Sequence, residues 1–337
     1  MTDHGGSLDA ARKAFPEAPE PWIDLSTGIN PHSYPLLDLP QAALTRLPEP
    51  ARLATLCEVA ARAYDAPCAA NIAAAPGTQI LLPQVMRLVP PGRAVVLSPT
   101  YAEHARTAAL VGHGVHETSR FDDLAAADLA VVVNPNNPDG RVLSRAALLD
   151  LAAKLRRKGG LLVVDEAFMD VGPTKESLAG DVAAGGIVVL KSFGKFFGLA
   201  GLRLGFAIAS PAIAKTLAAD LGPWAVSGPA LEYGLAALAD RDWQNAMRAE
   251  LERRAARLDA LLSAHGIPVS GGTSLFRFVE HGQAVGIFAA LGRAGILVRR
   301  FERLPNHLRF GLPANDAEFE RLDQALTGWR KSREEPA

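Results

Sequence analysis

Four short runs, Ala94-Val-Val-Leu97, Ala130-Val-Val-Val133, Leu161-Leu-Val-Val164 and Ile187-Val-Val-Leu190, constrain this chain more than any other feature. Each is apolar at every position, and each gives way at once to polar or turn-forming residues. A strand with one face in water alternates apolar and polar residues, so a run that never alternates must be covered on both faces. Helical patterns separate the runs, the clearest from Ser144 to Lys158, closed by Gly159-Gly160. Strand, helix and strand in alternation specify an α/β fold with a mostly parallel sheet covered by helices. Such sheets keep their chemistry at the carboxyl ends of the strands.

Three of these ends carry polar clusters. Val133 runs into Asn134-Pro-Asn-Asn-Pro-Asp-Gly140, Val164 into Asp165-Glu-Ala-Phe168, and Leu190 into Lys191-Ser-Phe-Gly-Lys-Phe-Phe-Gly-Leu-Ala-Gly-Leu-Arg-Leu-Gly205. Lys195 is expected on a loop after its strand. An amine there, with the Ser192 hydroxyl and Arg203 eight positions on, could hold a phosphorylated aldehyde: amine to carbonyl, the other two to phosphate. Pyridoxal 5′-phosphate (PLP) is such a molecule. By itself the stretch is also compatible with a Gly-rich turn carrying solvated cations. A dinucleotide loop fits poorly, because Gly198, Gly201 and Gly205 do not spell G-x-G-x-x-G. Ala75-Pro-Gly-Thr-Gln79, ahead of a helical run from Ile80 to Val89, offers either a phosphate-binding helix start or an ordinary cap.

Taken in order, N-P-N-N-P-x-G, D-E-A-F, S-x-x-K and G-L-R-x-G resemble the fold-type I PLP enzymes of the aminotransferase class. Asn137, Asp165 and Lys195 follow one another at intervals of 28 and 30 residues (165 − 137 and 195 − 165). The resemblance implies a large domain with a mostly parallel seven-stranded sheet, a smaller α+β domain, PLP as cofactor and a homodimer. The expected divisions are an arm over 1–44 contributing to the active site, a PLP-binding domain over 45–222 and a C-terminal domain over 223–337. It implies that Lys195 binds the cofactor aldehyde and then moves a proton at the substrate Cα, that Asp165 holds the pyridine proton, and that Asn137 donates to the phenolate oxygen. Tyr101 would stack on the ring. Ser192, Arg203, Gly77, Thr78 and Gln79 would surround the phosphate. Glu166 should face away from Asp165, since adjacent strand residues point oppositely.

Within the class the chain is most similar to the decarboxylases of L-threonine O-3-phosphate, through the opening His4-Gly-Gly, Asp24-Leu-Ser-Thr-Gly-Ile-Asn-Pro31, Pro99-Thr-Tyr-Ala-Glu-His104, D-E-A-F ending at Phe168, and Pro223-Trp-Ala-Val226 ahead of Asp242-Trp. That likeness implies Arg309 for the substrate carboxylate and Arg299, His4, Asn30 and the Gly28 turn for its phosphate. Phe168 stands where histidinol-phosphate and aspartate aminotransferases usually carry a tyrosine, and so lacks a hydroxyl toward the cofactor. Two departures accompany it: Leu47 occupies a position that is often tyrosine, and Gly28 one that is asparagine in some decarboxylases. The alternative is an aminotransferase acting on histidinol phosphate or a related phosphorylated amine. A third possibility is a scaffold that retains the fold without turnover.

Composition excludes several other classes. With 35 Lys and Arg against 36 Asp and Glu, the net charge of −1 gives nucleic acid or anionic lipid nothing to bind. The opening residues lack a charged region followed by an apolar one, and no long apolar window follows, so no membrane association is expected. Cys57 and Cys68 form neither a C-x-x-C motif nor a disulfide framework, consistent with reduced thiols in a cytoplasmic protein. His104, His113 and His116 lack metal-ligand spacing and are expected at the surface, with no metal site.

Overall fold

The computed structural model describes residues 5–334. Among them are twelve strands: β1 (Ile23–Leu25), β2 (Ile72–Ala75), β3 (Arg93–Leu97), β4 (Gly114–Thr118), β5 (Leu129–Val133), β6 (Leu161–Asp165), β7 (Ile187–Ser192), β8 (Gly205–Ala209), β9 (Val269–Thr273), β10 (Phe276–Glu280), β11 (Ile296–Phe301) and β12 (Leu304–Gly311). The chain divides into two compact units. One comprises Ser33–Asn137 and Arg141–Gln244; the other comprises the described parts of Met1–His32, Pro138–Gly140 and Asn245–Ala337. The helix Arg241–Ala264 runs from the first into the second.

The first unit is built on a seven-stranded sheet in the order β2-β8-β7-β6-β5-β3-β4. β8 is antiparallel to both neighbours and the other pairings are parallel. Every residue of β5, β6 and β8 is buried, which is why their sequences never alternate. The helix Arg145–Arg156 begins at a Ser144 cap, whose hydroxyl accepts the Ala147 N–H at 3.3 Å, and buries Leu148, Leu151, Ala152 and Leu155. β4 escapes sequence reading because it is an edge strand with no buried residue, so it carries no apolar run.

The second unit holds a five-stranded sheet in the order β1-β11-β12-β10-β9. Residues expected as an extended arm form a helix, Leu8–Ala14, and then β1, which pairs in parallel with β11. β9 contains Ser-Gly-Gly and so carries no strand-like run. Those glycines are required by a close approach: the Gly272 N–H donates to Asp139 O at 2.9 Å, and a Cβ on Gly271 would lie 2.2 Å from the same oxygen. No helix among the described residues is long and apolar enough to cross a membrane.

Candidate active site

Strand register gathers the polar clusters at one sheet edge of the first unit. Val133 lies opposite Asp165, and Asp165 opposite Leu190, so the Asn-Pro loop, the acidic pair and Ser192 emerge together. Ser192 in turn pairs with Gly205, and Gly205 with Ala75. A Cβ on Gly205 would lie 2.7 Å from the Thr78 nitrogen, and one on Gly77 2.7 Å from Arg203 Nη2. The sheet thus brings Ser192, Arg203 and the Gly77-Thr78 helix start to one place. The nine-residue helix Thr78–Met86 begins there, with unsatisfied N–H groups and the positive end of its dipole. Arg203 is held in the left-handed region at φ +55°, rare for a non-glycine residue, at the end of the turn Ala200–Leu202.

Lys195 lies on a short helical turn, Phe193–Phe196, rather than on a loop. Buried Phe193, Phe196 and Phe197 anchor that turn; Phe197 stacks on Phe193 at 4.4 Å and on Trp243 at 5.7 Å between ring centroids. Gly194 is required because a Cβ there would sit 2.7 Å from Ala200 Cα. The Lys195 Nζ lies 6.0 Å from the centre of the buried Phe168 ring.

Asp165 is buried and well held. Its Oδ1 accepts the Ala167 N–H at 3.0 Å, and its Oδ2 lies 3.0 Å from Nε2 of the fully buried His104. A carboxylate only accepts, so the His104 proton sits on Nε2. The expectation of surface histidines fails for His104, and for His113, whose Nε2 bonds to Met86 O at 2.8 Å; it holds for His116. The missed signal is helical spacing: His104, Thr107 and Ala108 form the buried face of Glu103–Leu110. Glu166 does take other partners than Asp165. Fully buried, it binds Lys191 Nζ at 2.6 Å, the Ser177 hydroxyl at 2.6 Å and the Leu178 N–H at 2.8 Å.

The Tyr101 ring stands nearly perpendicular to the His104 ring, with centroids 5.7 Å apart. Its hydroxyl donates to Gln79 Oε1 at 3.2 Å, and burial, then the charges of Glu103 and Asp165, pushes its pKa up to about 12. In the Asn-Pro loop, Asn134 bonds within the loop to Leu143, whereas Asn136 ties the loop to Pro99 and Thr100 after β3. Asn137 is half-buried beside them.

The residues expected to meet substrate belong to the second unit. Arg309 is buried, donates from Nη2 to Ser26 O at 2.7 Å, and lies opposite Arg299 in the β11–β12 register. Burial, then the nearby Arg299 cation, lowers its pKa to about 9 against the pull of Asp24. Asn30 is buried with its Oδ1 accepting the His32 N–H at 2.8 Å, and Gly28 is buried nearby in the chain. His4 lies outside the described residues.

An amine, a buried carboxylate and a cluster of phosphate-suited donors at one sheet edge can hold a planar phosphorylated aldehyde. Threonine-phosphate decarboxylase from Pseudomonas aeruginosa is 43% identical over 98% of this chain and 99% of its own length. A second, from Sinorhizobium sp, is 44% identical over 96% of this chain and 97% of its own. Histidinol-phosphate aminotransferase from Symbiobacterium thermophilum is 33% identical over 71% of each chain. Among solved structures, histidinol-phosphate aminotransferase from Sinorhizobium meliloti in complex with pyridoxal-5′-phosphate has a TM-score of 0.83 at 23% identity, covering 98% of this chain and 96% of that one. L-Threonine-O-3-phosphate decarboxylase from Porphyromonas gingivalis has a TM-score of 0.74 at 21% identity, over 92% and 99%. With residues 37–326 matching the sequence model of aminotransferase class I and II, this chain belongs to that family.

Proposed function

We propose that this chain is a PLP-dependent carboxy-lyase that converts L-threonine O-3-phosphate to (R)-1-aminopropan-2-yl phosphate and CO2, supplying the aminopropanol linker of cobalamin. The observation that carries this reading is nearly end-to-end likeness to two threonine-phosphate decarboxylases, whereas the histidinol-phosphate aminotransferase relative matches over 71% of the chain.

The donor set fits PLP. Gly77 leaves open, beside the Arg203 guanidinium, a space that a Cβ would fill, next to a helix start and the Ser192 strand end. Ser192, Arg203, Thr78 and the Gly77 backbone are suited to its phosphate, and the buried Asp165 to its pyridine nitrogen. When bound, PLP supplies an electron sink for the pair left on the substrate Cα as CO2 departs. Lys195 is the residue that would hold the cofactor at its aldehyde carbon, and its amine would deliver the proton that takes the place of the lost carboxylate at Cα. Asp165, steadied by Ala167 and His104, would keep the pyridine proton in place. Asn137 would donate to the phenolate oxygen and Tyr101 would lie against the ring, while Phe168 gives the Lys195 amine an apolar neighbour without a competing hydroxyl. Arg309 takes the α-carboxylate. Arg299, Asn30, Gly28 and His4 serve the substrate phosphate; two arginines opposed across one strand pair suit a substrate with two anionic groups.

The reading includes a cytoplasmic homodimer. The exposed apolar side chains of Leu36, Leu44, Leu47 and Trp224 support a second copy as the covering surface, and light scattering that returns a monomer mass would remove that part. The deciding experiment is incubation of PLP-loaded protein with L-threonine O-3-phosphate and no 2-oxo acid. Many turnovers, each releasing CO2 and the aminopropanol phosphate, support the lyase. One equivalent of pyridoxamine phosphate without CO2 would support transamination, the alternative that the partial likeness to histidinol-phosphate aminotransferases favours.

A further inference from the structure

Beside Tyr101 lies a polar chain that the reaction does not explain. Glu103 is 3% exposed, and its Oε2 accepts from Arg106 Nη1 at 2.8 Å and from Gln79 Nε2 at 3.3 Å. The other end of the Gln79 amide faces the Tyr101 hydroxyl at 3.2 Å. A carboxylate can only accept, so the amide must turn its NH2 toward Glu103 and its carbonyl toward Tyr101. A carbonyl can only accept as well, so the phenol must donate. Arg106, Glu103, Gln79 and Tyr101 therefore admit one direction of hydrogen bonding.

We propose that Gln79 is a positioning residue whose amide, oriented by Glu103, commits the Tyr101 hydroxyl proton to the Gln79 carbonyl. Two consequences follow for the ring. It is held at its outer end by Gln79 and perpendicular to the His104 ring, which fixes the plane offered to a flat aromatic ligand. Its hydroxyl also offers only lone pairs, so it cannot donate to an anionic group of a substrate. Specificity for the anionic parts of the substrate is thereby left to the arginines. The charged groups that act on the phenol include Glu103, Asp165 and Arg203; the two carboxylates disfavour its ionisation and Arg203 favours it. The phenol therefore stays protonated and keeps its hydrogen bond to Gln79 throughout the working pH range.

The ring-stacking part rests on the proposed PLP reading, but the hydroxyl's direction does not, so the test reads the two apart. In apo-protein, the tyrosine Fermi doublet in ultraviolet resonance Raman distinguishes a donating phenol from an accepting one. The Tyr101 contribution is isolated by subtracting the spectrum of Tyr101→Phe. Wild type should show a donor, Gln79→Met should lose that signature, and Glu103→Gln, which frees the amide to turn, should show a mixture. Gln79 is exposed, so Gln79→Met should melt within a few degrees of wild type. In a separate titration of the same proteins with PLP, Gln79→Met should raise the dissociation constant several-fold. An unchanged Tyr101 doublet in Gln79→Met, or an accepting phenol in wild type, would overturn the proposal. Wild type that shows the donor but fails to bind PLP would instead sink the cofactor reading and leave the hydroxyl's direction standing.

Discussion

Replacing Gly77 by alanine should separate backbone strain from loss of the phosphate site. Gly77 has φ +89° and ψ 161°, a region open essentially to glycine, and an added Cβ would sit 2.7 Å from Arg203 Nη2. Gly185 provides the control: its φ +78° and ψ 168° nearly match, yet a Cβ there meets nothing within 4 Å. Both alanine variants should lose about 1–3 kcal/mol of stability from strain alone, read by urea denaturation of apo-protein. Only Gly77→Ala must also displace the Arg203 guanidinium. Losing one charge-assisted hydrogen bond to phosphate costs about 1.5–3 kcal/mol, roughly ten- to hundredfold in PLP affinity. The affinity is measured by titrating PLP into each protein at a denaturant-free pH where both are folded. Equal PLP affinity in Gly77→Ala and wild type, or an equal loss in Gly185→Ala, would refute the assignment of Gly77 and Arg203 to the phosphate.

Three other perturbations probe the groups around that site. His104→Leu removes the ring that meets Asp165, and should weaken PLP binding by roughly tenfold or more while circular dichroism stays native, since a hydrogen bond to a charged group carries about 1.5–3 kcal/mol. Lys191→Met strands the buried Glu166 carboxylate and should cost about 3–5 kcal/mol in denaturant unfolding, much of it recovered in Lys191→Met/Glu166→Gln; no recovery would show that Lys191 acts through its packing. The third is a pH dependence. The charged form of Arg309 binds a carboxylate, and its pKa stands at about 9, so substrate affinity should be full below that value and fall as pH rises through it. Removing the neighbouring cation with Arg299→Gln should move the falling limb to higher pH, and an unmoved limb in a binding titration would break the coupling between the two arginines.

Much of this protein is legible in its sequence because burial writes itself into composition. β5, β6 and β8 are covered on both faces, so their positions are apolar up to Asp165, which closes β6, and the polar residues there and after β5 mark the strand ends where a site can form. The motif order likewise exposes Asn137, Asp165, Lys195 and Arg203, since each follows a recognisable strand or glycine-rich turn. β4 and β9 leave no such mark, one an exposed edge and the other glycine-rich because backbone approaches it closely.

What only the tertiary structure decides is which distant groups meet. Asp165 acquires His104 from a helix 61 residues earlier, Gly77 must be bare because Arg203 lies against it, and Gln79 finds Tyr101 and Glu103 across separate elements. A side chain's periodicity reports whether it is buried, not which partner it faces. Local sequence therefore determined the sheet, its order of chemical motifs and the family, while the hydrogen-bond partners that hold those motifs in place were set by strand register and helix packing.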